Sequence, residues 1–301
     1  MDQKYKELEI YDCFIKSNLP STKSNIYFHV YNEVFQKFRN KKITFVEIGV
    51  KAGGSLIMWR NWLGKDARII GIDLDPNAKK MEEYGFEIFI GDQASPNFWK
   101  KFFDQVGNVD AILDDGGHTN ETQILTAYNT VKHINNGGIL LIEDTSSNYL
   151  KKFSNPQKYS FINYCKFLID DLYARSFDAE TKKRLKKKNS LNDVIYSIKF
   201  YPDLVMFEID RSKCFDTEYF WNKDINEKNF HDIIGFNNYK NPRWSTDSYI
   251  GHLDKFLFFL SKKFYFLKSF YLFKILNKKI IDFKKIYYNK KISNKLRKFF
   301  E

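Results

Sequence analysis

Between residues 43 and 145 the chain repeats one pattern: a short apolar run, an acid or glycine at its carboxyl end, then an amphipathic stretch. The runs are ITFVEIG at 43–49, ARIIGID at 67–73, FEIFIGD at 86–92, VDAILDD at 109–115 and GGILLIED at 137–144. Segments such as Ile69, Ile70 and Ile72 are apolar on both faces, as strands covered from both sides must be. Between them helices are predicted over 55–63, 77–84, 96–105 and 119–134, with Pro76 and Pro96 near helix starts, where a missing N–H costs nothing. This alternation predicts an α/β fold with a doubly wound, mostly parallel sheet. A long helix is expected over 157–175, then a basic link, KKRLKKK at 182–188. VIYSIKF at 194–200 and LVMFEID at 204–210 flank Tyr201-Pro202-Asp203 and read as a late antiparallel hairpin, which brings the sheet to seven strands. The chain has no internal repeat.

Composition divides the chain further. Residues 251–301 carry 14 Lys and Arg against three acids, whereas the first 250 residues hold 35 basic and 34 acidic groups. The net charge of +12 therefore belongs to the tail and says nothing about the body. Twelve of the 14 glycines lie between Gly49 and Gly138, so ligand-contacting turns are expected there. The expected organisation is an N-terminal helical cap over 1–42, a ligand-binding domain over 43–212, an irregular aromatic segment over 213–250 and a basic aromatic helical tail over 251–301. Three scattered cysteines, Cys13, Cys165 and Cys214, point to free thiols in a reducing compartment. The N-terminal MDQKYKELEIYD lacks the apolar core of a secretory leader, and a cytoplasmic protein is expected, at most peripheral to the inner membrane.

Three clusters carry chemistry. Glu47-Ile-Gly49-Val-Lys-Ala-Gly53-Gly54-Ser55 follows a strand and opens a helix, which lets backbone approach a ligand and offers free N–H groups. It is neither GxGxxG nor a Walker loop, because Lys51 precedes the paired glycines. An acid at its head, Glu47, disfavours phosphate and suits an amino-bearing ligand. Asp73 ends the second run, where an acid can accept two ribose hydroxyls, and Asp92 ends the third, placed for an adenine amino group. Any one of these acids alone is more often a helix cap. Together they describe a nucleoside site without a diphosphate, which suits S-adenosylmethionine better than NAD. The third cluster is Asp114-Asp115-Gly116-Gly117-His118 with Glu143-Asp144, at the ends of neighbouring strands. Carboxylates converging there call for a cation, and hard oxygen ligands favour Mg²⁺ or Mn²⁺ over Zn²⁺.

With these strings in view the sequence resembles the Rossmann-like class I S-adenosylmethionine-dependent methyltransferases. The likeness is to the metal-dependent sugar O-methyltransferases of macrolide (mycinamicin-type) biosynthesis and the cephalosporin-hydroxylase-like group. It covers residues 20–210 and is carried by YFHVYNEVF at 27–35, FVEIGVKAGGSLIMW at 45–59, IIGIDLDP at 69–76, GDQ at 91–93, ILDDGGHTNETQI at 112–124 and GGILLIEDTSSNY at 137–149. The resemblance implies that Asp115, Glu143 and Asp144 hold the metal and that His118 is the general base. It implies that Glu47, Gly49, Ser55, Asp73 and Asp92 contact S-adenosylmethionine, with His29 or Tyr31 closing over it. The macrolide enzymes carry an additional N-terminal domain that 42 residues cannot supply, and the tail after 250 has no counterpart.

The expectation is therefore methyl transfer to a sugar hydroxyl, with S-adenosylmethionine and Mg²⁺ (or Mn²⁺) as cofactors. A nucleotide-linked sugar, with GDP-heptose as a refinement, is the expected acceptor, serving a bacterial capsule or surface polysaccharide. Another small hydroxylated metabolite is the nearest alternative. An RNA methyltransferase or nucleic-acid-binding protein using the tail is the alternative from a different class, disfavoured by a balanced body and an acidic site. Within 256–276, FLFFLSKKFYFLKSFYLFKIL places apolar residues at helical spacing with lysines interrupting any spanning run. Such a helix packs on the body or on a second subunit in a homo-oligomer, or lies on anionic lipid.

Overall fold

A computed structural model describes residues 4–150, 158–176, 178–185, 189–220 and 295–300. The elements below belong to one compact unit, Met1–Thr217 with Lys291–Glu301. Its centre is a seven-stranded sheet of β1 (Thr44–Ile48), β2 (Arg68–Asp73), β3 (Glu87–Ile90), β4 (Val109–Asp114), β5 (Ile134–Ile142), β6 (Ile195–Tyr201) and β7 (Leu204–Ile209). The strand order is β3-β2-β1-β4-β5-β7-β6. The first five strands run parallel, and β7 pairs antiparallel with both β5 and β6. The doubly wound sheet with a late hairpin is thus as the sequence predicts.

Period-2 alternation sorts each strand onto two cores. Phe45, Ala111, Leu113, Ile139 and Leu141 face one side, packed by α1 (Glu9–Ile15), α2 (Tyr27–Phe35) and α3 (Gly54–Leu63). Val46, Ile48, Ile112, Leu140 and Ile142 face the other, under α4 (Pro96–Val106), α5 (Asn120–Thr130) and α6 (Phe161–Tyr173). Both cores are rich in large rings: Trp59 and Trp62 are fully buried in the first, Trp99 and Phe102 in the second. Each such ring contributes roughly 2–3 kcal/mol on burial. Helix starts follow the local chemistry. Ser95 caps α4 with Pro96 at its first position, Thr119 and Thr122 form a capping box on α5, and Ser160 caps α6.

Some boundaries differ from expectation. The 77–84 segment is a 3-10 helix, Pro76–Tyr84, started by Asp75 accepting from the Asn77 N–H and stopped by Gly85 at φ +80°. The helix expected over 119–134 ends at Thr130, with a 3-10 turn Val131–His133 before β5. β5 begins three residues early, at Ile134, through a register shift opposite Val109 and Ala111. The basic link is in part helical, as α7 (Ala179–Leu185). The tail expected over 251–301 lies outside the described residues except for 295–300, where Leu296 and Phe299 are buried in the second core. Among the described residues no helix is long and apolar enough to cross a membrane.

Candidate active site

Strand order reverses direction between β1 and β4: β2 and β3 lie to one side, β5 to the other. At the carboxyl ends of strands flanking such a point the connecting loops diverge and leave a crevice. Here it is a cavity of about 630 Å³. Gly49, Ser55, Asp73, Asp92, Asp115, His118, Glu143 and Asp144 all line it.

One side of the cavity is organised around Asp73. Its Oδ2 accepts the N–H groups of Val50 and Lys51 at 2.8 and 2.9 Å, and its Oδ1 accepts that of Asp75 at 2.9 Å. The turn after β1 is thereby pinned to the end of β2. Gly49 has φ +94°, and a Cβ there would stand 2.2 Å from the Asp115 carbonyl oxygen, so only glycine lets these two loops touch. Asp92 is exposed and accepts the Ala94 N–H at 2.8 Å. Glu47, on the same face of β1 as Phe45, is completely buried. Its Oε2 accepts the Ser55 hydroxyl at 2.9 Å, while its Oε1 has no hydrogen-bond partner among the described residues. Burial pushes the Glu47 carboxyl up to about 7, against the pull of Lys23. Oε1 faces the Lys23 ammonium at 3.7 Å, beyond hydrogen-bond reach, and Glu47 stands behind the cavity wall, not among the residues that line it.

The other side holds the second set of acids. Asp115 and His118 stand on the loop between β4 and α5, and Asp144 follows β5. Ligand atoms of Asp115, His118 and Asp144 lie within 4.8 Å of one another. The Nε2 of His118 is 3.2 Å from Asp144 Oδ2 and 3.9 Å from Asp115 Oδ1. The two carboxylates are oxygen donors that fit a hard divalent cation, with the imidazole beside them. His118 and Asp144 both adopt left-handed backbone, with φ +50° and +53°. Such conformations cost about 1–3 kcal/mol each and collect at functional sites. The loop is held by Gln93, whose amide nitrogen donates to Asp114 at 3.0 and 3.1 Å while its oxygen accepts the Gly117 N–H at 2.8 Å.

Glu143 is placed differently from Asp115 and Asp144. It is buried, and its two oxygens take the Lys23 ammonium at 3.2 and 3.1 Å while Tyr31 donates to Oε1. Burial raises its carboxyl well above the usual range. Tyr31 is itself fully buried behind this acid and does not line the cavity, and His29 is exposed on the opposite face of α2. The structure thus brings neither His29 nor Tyr31 to the cavity wall. Tyr27 is the residue of α2 that lines it, with its hydroxyl 2.6 Å from Asp144 Oδ1 and 3.0 Å from Asp203 Oδ2. Lys23, Tyr27 and Gln93 are the members of this site that sequence reasoning missed. Gln93 and Tyr27 stand inside the quoted strings, while nothing in the segment around Lys23 distinguishes it from a surface loop.

No family model matches the chain. Among known proteins it is 25% identical over 193 residues to 8-demethyl-8-alpha-L-rhamnosyl tetracenomycin-C 2'-O-methyltransferase of Streptomyces olivaceus, covering 60% of this chain and 50% of that protein. It is 29% identical over 154 residues to demethylmacrocin O-methyltransferase of Streptomyces fradiae, covering 47% and 38%. It is 27% identical over 166 residues to mycinamicin VI 2''-O-methyltransferase of Micromonospora griseorubida, covering 51% and 41%. The chain thus spans half or less of the length of these relatives. The mycinamycin-pathway methyltransferase MycE, solved in complex with Mg and SAH, superposes with a TM-score of 0.61 at 21% identity over 76% of this chain and 59% of that one. The chain has the class I S-adenosylmethionine-dependent methyltransferase fold and is similar in sequence to the sugar O-methyltransferases of the macrolide and tetracenomycin pathways.

Proposed function

We propose that this protein transfers the methyl group of S-adenosylmethionine to a sugar hydroxyl with the help of a divalent cation. One observation carries the reading: a single cavity has Gly49, Asp73 and Asp92 on one wall and Asp115, His118 and Asp144 on the other. The first wall fits an amino-bearing nucleoside and the second fits a cation with an acceptor hydroxyl beside it. The likeness to rhamnosyl and macrolide-sugar O-methyltransferases supports a sugar acceptor. A nucleotide-linked sugar of a surface polysaccharide, with a heptose as one candidate, is our finer reading. It rests on the Lys-, Asn- and Ile-rich composition typical of AT-rich bacterial genomes and on the basic tail.

Asp115 and Asp144 would hold Mg²⁺ or Mn²⁺, with Glu143 behind them, and the ion would supply Lewis-acid polarisation that lowers the pKa of an adjacent hydroxyl. In our reading His118 accepts the hydroxyl proton on Nε2, and Asp144 Oδ2 stabilises the imidazolium that results. The acceptor oxygen then attacks the sulfonium methyl in line: a C–O bond forms as the S–C bond breaks, and the electron pair leaves with sulfur. Positioning supplies much of the acceleration, since the two reactants must meet within about 3–3.5 Å. Asp73 and Asp92 would fix the nucleoside, Glu47 the amino group, and Tyr27 the orientation of Asp144. The test is mass spectrometry of a panel of free, nucleotide-linked and aglycone-linked sugars incubated with enzyme, S-adenosylmethionine and Mg²⁺. A mass gain of one methylene on a sugar is expected; a methylated RNA with every sugar unchanged would replace this reading.

A further inference from the structure

Lys23 lies in the segment joining α1 to α2, and its side chain is 1% exposed. Its Nζ stands 2.6 Å from Asp115 Oδ2, 3.1 and 3.2 Å from the oxygens of Glu143, and 3.7 Å from Glu47 Oε1. The Asp115 carboxylate is thereby divided between two cation positions. Its Oδ2 faces the ammonium in an inner position walled by Glu47 and Glu143. Its Oδ1 faces an outer position, open to the cavity and shared with His118 and Asp144. The inner position is filled by a group that the chain itself delivers.

We propose that Lys23 is a fixed internal cation: a positioning residue that holds Asp115 and Glu143 together before any metal arrives and, by its charge, weakens the hold of the outer position on a divalent ion. This rests on the metal-dependent reading above. Two carboxylates this close, Glu143 buried and Asp115 23% exposed, repel one another unless a cation lies between them, and an exchangeable ion there would leave the wall unassembled whenever it dissociated. A tethered ammonium removes that dependence. The same positive charge, a few ångströms from the outer position, opposes a second cation in a medium that screens poorly. It sets a metal affinity lower than the bare carboxylates would give, and it ties that affinity to the segment joining the two N-terminal helices.

The experiment is Mn²⁺ titration, followed by the electron paramagnetic resonance of the free ion, on the wild type, Lys23→Met and Lys23→Arg. Lys23→Met is expected to bind Mn²⁺ tighter by on the order of tenfold or more, the consequence of removing one unit charge at this range. Lys23→Arg keeps the charge and is expected to stay near the wild type. A folded Lys23→Met with unchanged or weaker affinity overturns the proposal and leaves the metal reading standing, whereas a wild type that binds no Mn²⁺ removes both. Should Lys23→Met fail to fold, reductive methylation of the wild type decides. Lys23 is expected to stay unmodified with and without Mn²⁺ while exposed Lys51 and Lys80 react. Methylation of Lys23 when Mn²⁺ is added would mean that metal drives the ammonium out, and would overturn the proposal.

Discussion

The Nε2 of His118 lies 3.2 Å from Oδ2 of Asp144, and both residues hold left-handed backbone conformations in the loops that follow neighbouring parallel strands. The relationship joins a group that can take a proton to one that can hold a cation, so each can be tested without the other. His118→Asn is the informative change, because asparagine tolerates φ +50° better than alanine does. Turnover is expected to fall by roughly 10²–10⁴, the usual worth of a general base. Calorimetry with S-adenosylhomocysteine should show affinity within a few-fold of the wild type, because Asp73 and Asp92 lie on the opposite wall. Unchanged turnover at saturating Mg²⁺ would make His118 a prop of the loop.

Chelation tests the cation. EDTA should abolish methyl transfer, and Mg²⁺ or Mn²⁺ should restore it. Asp144→Asn keeps an acceptor for the Tyr27 hydroxyl, now 2.6 Å from Oδ1, but removes the charge. It should weaken Mn²⁺ binding by on the order of tenfold or more while leaving the melting temperature of the metal-free protein nearly unchanged. Full activity in chelator would make these acids structural.

Gly49→Ala tests the contact between the two walls. The new methyl would stand 2.2 Å from the Asp115 carbonyl oxygen, a backbone atom that cannot rotate away, and φ is +94°. The unfavourable backbone alone costs about 1–2 kcal/mol, and the clash adds to it. Thermal or urea unfolding should show a loss of several kcal/mol or failure to fold. A stable variant with full cofactor affinity would show that the loops separate without consequence.

How much of this was legible in the sequence depends on which contacts are local. Strand positions and the acids ending them could be read because burial on both faces forces continuous apolar runs, and the polar residue that ends each run faces the crevice. The 3-10 form of Pro76–Tyr84 could not: its composition suits an α-helix, and the Asp75 cap at its start and the left-handed Gly85 at its end serve either helix. The early start of β5 was hidden because Asn135 and Asn136 are poor strand formers and fall between the expected helix and the apolar run at 137–144, although the strand runs through them from Ile134. On α2, Tyr27 and Tyr31 share a face by their four-residue spacing, which turns His29 away; the quoted string held the right helix, and its spacing already separated the faces. Lys23 meets acids 92 and 120 residues away, contacts that no local period reports.

The last prediction concerns Glu47 and pH. Burial raises its folded-state carboxyl to about 7, whereas a glutamate in an unfolded chain titrates near 4.3. The folded protein therefore binds more protons than the unfolded one between these values. Stability of the metal-free and cofactor-free protein should fall as pH rises through that window, by up to about 3 kcal/mol from this group alone. Glu47→Gln keeps an acceptor for the Ser55 hydroxyl and should flatten the dependence, as urea unfolding from pH 4.5 to 8 would show. If a cofactor amino group reaches Oε1, which makes no hydrogen bond and lies 3.7 Å from the Lys23 ammonium, its added charge favours the ionised carboxylate, so binding near pH 6.5 should release protons. Calorimetry of S-adenosylhomocysteine binding in buffers of different ionisation enthalpy measures that release directly. Buffer-independent heats in the wild type would place the amino group elsewhere, and heats as buffer-dependent in Glu47→Gln as in the wild type would assign the proton to another residue.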